Sequence, residues 1–380
     1  MTVAVRLDTG GPSPSASSNV LDFELPESLV AHEPAEARGL TRDGVRLLVT
    51  RQQGDNVRHR TMRELPDELR AGDVLVVNAS ATISAALDGW RSRRNHTDEL
   101  VSLHLSSPVP FPSDDARWII ELRRPSIDGT RPLLDAAPGE WIRLRGGGLA
   151  TLIRPFGRVA RDAVPNARTR LWEAALACPG GVLPFAARFG APIRYGYVRR
   201  EWPLSAYQTI FGTEPGSAEM PSAGRPFTAD LVRRLEQRGI AVVPIVLHTG
   251  VASLESGEPP YPERYRVSSD AASTVNRARR NGGRVVAVGT TVVRALESVT
   301  SSDGTVHAGE GWTDVVITPD RGVHAIDALV TGFHEPRASH LAMLEAIVGR
   351  QHLIAAYDTA IAHGYLWHEF GDVHLAFASS

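Results

Sequence analysis

The stretch "VVAVGTTVVRALES" runs from Val285 to Ser298. Four apolar residues stop at Gly289. Two hydroxyl residues follow, and Val292, Val293 and Leu296 then recur at helical spacing. A strand that ends in glycine and feeds straight into a helix is the joint of a βα unit. The pattern repeats on both sides. Thr228 can cap a helix carrying Leu231, Val232 and Leu235, and Gly239 can end it. "IAVVPIVLHTG" follows as a strand, in which Pro244 suits an edge or a bulge. A helix is expected from about Asp270 to Asn281, closed by Gly282 and Gly283. "WTDVVITP" from Trp312 and "VHAIDALVTGF" from Val323 read as strands, and "ASHLAMLEAIVG" from Ala338 as a helix. Strand–helix alternation with near-continuous apolar strands predicts an α/β fold whose mostly parallel sheet is covered on both faces.

Between Val74 and about Arg170 the character is different. "VLVVNASATISAAL", "LVSLHL", "RWIIELRR" and "EWIRLRGGGLATLIRP" are short apolar or alternating runs, separated by Pro-, Ser-, Asp- and Gly-rich pieces. Closely spaced short strands predict a small barrel or a sandwich. Residues 1–20 are rich in Gly, Pro and Ser and read as a disordered lead-in. They lack the basic start and long apolar core of a secretory signal.

Composition removes several chemistries. The formal net charge is −2, so no global basic field advertises nucleic acid. No apolar run is long enough to span a bilayer. The single cysteine, Cys178, excludes an intramolecular disulfide and a cysteine-ligated cluster, and suits the cytoplasm. All 41 basic residues are arginine, so Schiff-base chemistry, pyridoxal phosphate attachment and a Walker A loop are excluded.

In open α/β sheets ligands sit beyond the carboxyl ends of the strands. Three strands end in polar residues: one at Leu247-His248-Thr249-Gly250, one at Gly289-Thr290-Thr291, one at Thr331-Gly332-Phe333-His334. Gly289 lets the backbone turn sharply. Thr290 and Thr291 can cap the next helix and leave its first N–H groups facing an anion. Taken singly, each threonine is an ordinary N-cap, and each histidine is as readily structural as catalytic. Three such ends on one rim favour a ligand site. His324, His334 and His340 match no familiar zinc spacing, so no metal is expected.

Ordered pieces along nearly the whole chain carry a resemblance: "FELPESLVAHEP" from Phe23, "AGDVLVVN" from Ala71, "YQTIFGTEPGSAEMPSAG" from Tyr207, "LHTG" from Leu247, the Val285–Ser298 stretch, "DALVTGFHEP" from Asp327 and "FGD" from Phe370. The chain resembles the S-adenosylmethionine:tRNA ribosyltransferase-isomerase family of queuosine biosynthesis. The resemblance implies a discontinuous α/β core over residues 21–72 and 188–380, with a small β-barrel domain inserted at 73–187. It implies S-adenosylmethionine as co-substrate. Its ribosyl part would pass to the aminomethyl group of a 7-deazaguanine in a tRNA anticodon, with release of adenine and methionine. Such chemistry needs a base beside the sulfonium, an acid for the departing adenine and a positioned amine. His248, His334 and Glu263 are the candidate catalytic groups. Gly250, Ser253, Gly289, Thr290 and Thr291 are candidates around S-adenosylmethionine. Ser222, Ala223, Gly224, Asp327 and Asp372 are candidates for the acceptor or the ribose hydroxyls. Where the family carries Asn-Asn-Thr-Arg this chain has Asn78-Ala79-Ser80-Ala81, and Ala86 replaces a second arginine. Those losses leave a small-molecule amine acceptor, or a nucleoside-binding protein without catalysis, as alternatives to tRNA.

Overall fold

The computed structural model describes residues 21–51, 57–93, 97–110, 116–126, 129–157, 169–251 and 261–378. The lead-in at 1–20 and Ser253 lie outside them. A nine-stranded sheet forms the larger unit. Its spatial order is Gly309–Thr313, Glu263–Val267, Ala241–Leu247, Val74–Asn78, Val285–Val288, Ala328–Gly332, Val373–Phe377, Arg46–Thr50 and Arg58–Thr61. The four strands from Ala241–Leu247 to Ala328–Gly332 are mutually parallel. The flanks add antiparallel pairs, so the sheet is mixed around a parallel centre.

The central strands are apolar on both faces because both faces are covered. Val74, Val76, Val285 and Ala287 join one core with Val292, Val293 and Leu296 of the helix Thr290–Glu297. Leu75, Val77, Val286 and Val288 join another with Phe227, Leu231 and Leu235. The Thr228 cap forms as expected, its hydroxyl accepting from Leu231 N–H at 3.2 Å. Pro244 sits in an interior strand, not at an edge. Ala241 N–H donates to Asp73, and Ile245 C=O accepts from Ala79, so odd positions bond the Val74–Asn78 strand. Pro244 faces the opposite flank, where Glu263–Val267 pairs only Val246 and Leu247. Its missing donor therefore breaks no ladder. The strand expected from Trp312 ends at Thr313 and begins earlier, at Gly309. Beyond it the carbonyls of Thr313 and Val315 accept from Arg294 instead of from a strand.

The smaller unit is a closed six-stranded antiparallel barrel built from Ala86–Ser92, Glu99–Pro108, Arg117–Ser126, Trp141–Leu144, Leu149–Pro155 and Leu171–Ala177. Closure comes from Leu171–Ala177 pairing with both Leu149–Pro155 and Arg117–Ser126, which leaves no open edge among the six. The helix Val182–Phe189 packs Phe185 into the barrel core. Strands before and after the barrel share the main sheet. Val74–Asn78, which a boundary at residue 73 would place in the barrel, is a central strand of that sheet, because its residues are buried on both faces. A two-stranded parallel bridge, Ser80–Thr82 against Glu214–Ser217, lies between the units.

Asp73 ties the start of two central strands together. Its side chain is fully buried, accepts from Arg284 N–H at 2.9 Å and pairs with the Arg284 guanidinium at 2.5 Å. Burial opposes its ionisation, but the bonds from Arg284 and from backbone amides outweigh that and hold the carboxyl below its ordinary value. The stabilisation is therefore present above the ordinary carboxylate range and is lost as the pH falls through the lowered value. Asp73→Ala should lower unfolding free energy in urea by roughly 3 kcal/mol, since it leaves the half-buried Arg284 guanidinium and the backbone N–H groups of Arg70 and Arg284 without their acceptor.

Candidate active site

The carboxyl ends of the parallel strands converge on Asn78. Its side-chain oxygen accepts from Leu247 N–H at 3.1 Å and Ser80 N–H at 3.0 Å. Its amide donates to Leu247 C=O at 2.9 Å and to Thr291 Oγ1 at 3.3 Å. One buried amide thus fixes the ends of three chain segments.

His248 follows immediately. Its Nδ1 lies 2.8 Å from Ser80 Oγ, which in turn lies 2.6 Å from Ser217 Oγ. Both serines are buried. The ring rests on the backbone at Gly216, where a Cβ would come within 2.4 Å of Nδ1. The imidazole lines a cleft of about 330 Å³ with Glu214, Arg264 and Arg266. Burial, then the guanidinium of Arg264, lowers the pKa below the ordinary imidazole value, so the ring is neutral at pH 7. A neutral imidazole held through one nitrogen is equipped to accept a proton at the other.

Glu263 has neither oxygen free. Oε1 accepts from Gly250 N–H at 3.2 Å, and Oε2 pairs with Arg294. Burial raises its pKa, with Arg294 pulling the other way. In this arrangement Glu263 clamps the Gly250 turn. That turn also meets the barrel, since Val251 N–H donates to Ser106 Oγ at 3.0 Å and a Cβ on Gly250 would lie 2.5 Å from the same oxygen.

Gly289 takes φ +96° and is itself the N-cap of Thr290–Glu297. The expected threonine caps are therefore absent: with the turn made at Gly289, Thr290 and Thr291 enter the first helical turn. Gly289 N–H donates to Val330 C=O at 2.8 Å, while no described backbone carbonyl accepts from Thr290 or Thr291 N–H. The first amides of this buried helix start thus have no described backbone acceptor, an arrangement that suits an anion. Ala223 approaches Gly289 closely, at 3.5 Å from the position of a Cβ there. Ala223 and Gly224 are buried in the Ser222–Gly224 turn, and Ser222 lines a narrow slot with Gly332, His368, Glu369 and Asp372.

His334 lies on the same rim. Its Nε2 is 2.9 Å from Thr331 Oγ1, and its ring stacks on His340 at 4.6 Å. Burial, then the neighbouring histidines, pushes its pKa well down. Its backbone is pinned by Tyr357 and Trp367. Asp372 reaches the rim but spends both oxygens on backbone, accepting from Arg46 and Leu366 N–H at 2.8 Å each. Asp327 is not brought to the rim. It begins the Ala328–Gly332 strand, about 16 Å from that strand's other end, and accepts from Val285 N–H at 2.7 Å. Among the described residues no group of three or more His, Cys, Asp or Glu is placed to hold a metal ion.

The sequence reading missed Ser217, Gly216 and Arg294, and took Asn78 and Ser80 only as parts of a motif. Each acts through a contact between segments distant in sequence, so no local spacing signals it.

Three comparisons bear on this site. The model of a family described as queuosine biosynthesis protein matches residues 18–376. The S-adenosylmethionine:tRNA ribosyltransferase-isomerase of Symbiobacterium thermophilum is 36% identical over 365 residues, covering 93% of this chain and 98% of its own. That of Moorella thermoacetica is 36% identical over 363 residues with the same coverage. The solved S-adenosylmethionine tRNA ribosyltransferase of Thermotoga maritima superposes with a TM-score of 0.50 at 26% identity, over 94% of this chain and 99% of that one. The chain belongs to the queuosine biosynthesis protein family.

Two substitutions test the geometry. Asn78→Ala strands buried backbone groups of Leu247 and Ser80, and should cost about 3 kcal/mol in chemical denaturation, with loss of turnover. Gly216→Ala should leave the melting temperature within a few degrees but displace the imidazole, so that kcat falls at least tenfold while substrate KM changes little.

Proposed function

We propose that this member of the queuosine biosynthesis family is an S-adenosylmethionine:tRNA ribosyltransferase-isomerase. It transfers the ribosyl part of S-adenosylmethionine, its co-substrate, to tRNA. The acceptor is the aminomethyl group of a 7-deazaguanine in the anticodon, and adenine and methionine leave. The observation that carries the assignment of roles is the neutral His248 imidazole, anchored by Ser80 and facing an open cleft, with one strand between it and the helix start at Gly289.

His248 takes the proton from the carbon beside the sulfonium, whose positive charge acidifies it. The amides of Thr290 and Thr291, with Gly289 giving close backbone access, receive the carboxylate of the methionine portion. Gly250 completes that pocket. Glu263 positions Gly250 through the Arg294 ion pair. His334, held by Thr331, faces the departing base. Ser222 and the neighbouring turn bound the acceptor. No Lewis acid is needed, because a sulfonium is already a good leaving group. The half-buried free thiol of Cys178 suits a reducing cytoplasm.

The test uses S-adenosylmethionine labelled in the ribose, and an anticodon stem-loop carrying the aminomethyl deazaguanine. Label should enter the RNA as adenine is released. Adenine release with no label in RNA, but with label on a free amine, would overturn the tRNA reading. The pH profile checks the base. Because the lowered pKa keeps His248 neutral, kcat/KM should fall only below about pH 6.5, and His248→Asn should lose at least a hundredfold in kcat.

A further inference from the structure

The cleft at His248 continues across the edge of the main sheet, and its order there is set by strand register. Val246 pairs with Arg266 and Leu247 with Tyr265, and His248 N–H donates to Arg264 C=O at 2.9 Å. The next pairing sets Arg264 against Trp312 and Arg266 against Glu310. Side chains alternate between faces, so Val246, Arg266 and Glu310 make one row on the cleft face and His248, Arg264 and Trp312 make the next.

The two arginines differ. Arg266 is paired with Glu214. Arg264 is exposed, and makes no side-chain hydrogen bond or ion pair with any described residue. It stands directly across from an imidazole whose pKa it lowers. An unpaired guanidinium in that position does nothing for the fold. It is placed for an anion that arrives with the substrate. Trp312 is half-buried on the edge strand, beyond which no further strand pairs among the described residues. A cation followed by an aromatic face, leading off an open sheet edge, matches the alternation of phosphate and base along an RNA strand.

We propose that Arg264 holds a backbone phosphate of the bound RNA next to the modified nucleoside, with Trp312 stacking on the adjoining base, so that this row positions the acceptor against His248. The inference rests on the tRNA reading above and says where the strand runs. Arg264 is a positioning residue, and Arg's planar fork is suited to two phosphate oxygens.

The experiment compares Arg264→Ala, Arg264→Lys and Trp312→Ala with the unaltered protein, and Arg277→Ala on an outer helix serves as the control. Arg264→Ala should raise KM for the stem-loop about tenfold and reduce the slope of log affinity against log salt by about one. KM for S-adenosylmethionine should stay near that of the unaltered protein. Arg264→Lys should restore the salt slope with only part of the affinity. Trp312→Ala should raise the RNA KM without changing the slope. An unchanged RNA KM and slope in Arg264→Ala overturns the proposal. So does a rise confined to S-adenosylmethionine, which would assign the guanidinium to the methionine carboxylate. Unaltered protein that binds the stem-loop but transfers nothing would sink the ribosyl-transfer reading and leave the anchor standing.

Discussion

The site depends on a single buried amide. Asn78 uses its oxygen and its nitrogen on Leu247, Ser80 and Thr291, which come from segments about 40 to 210 residues apart. Strand ends leave backbone groups without ladder partners, and buried groups of that kind must be satisfied. Asn78 satisfies them and, by doing so, sets the distance between the His248 strand and the helix start at Gly289. The serine pair Ser80–Ser217 extends the same logic to the imidazole.

The rim works by keeping its titratable groups neutral or paired. Burial lowers the pKa values of His248 and His334, so both are uncharged near neutrality. Glu263 pairs with Arg294, and that pair orients a turn which also touches the barrel. A cationic substrate would thus meet uncharged imidazoles at the strand ends.

Two of the joints between the barrel and the sheet lie at the site. One is the short parallel bridge from Ser80–Thr82 to Glu214–Ser217, which carries Ser80, Gly216 and Ser217 to His248. The other is the contact of Ser106 with Val251. Motion of one unit against the other would therefore be felt directly at the imidazole and at the Gly250 turn.

Much of this was legible in the sequence. Apolar periodicity and turn residues marked the βα units, the β-rich middle and the Thr228 cap, because those depend on neighbours within a few residues. The polar strand ends marked the rim, and His248, His334 and Gly289 are found there. The sequence could not show that Gly289 takes the capping position, nor that Asp372 is consumed by backbone. It could not show that Asp327 starts its strand, away from the rim. Nor could it set Arg264 beside His248. Local pattern determines which segments form strands and helices. Register, strand order and side-chain pairing arise only when distant segments compete for the same buried hydrogen-bonding groups, so the tertiary structure alone decided which candidates meet.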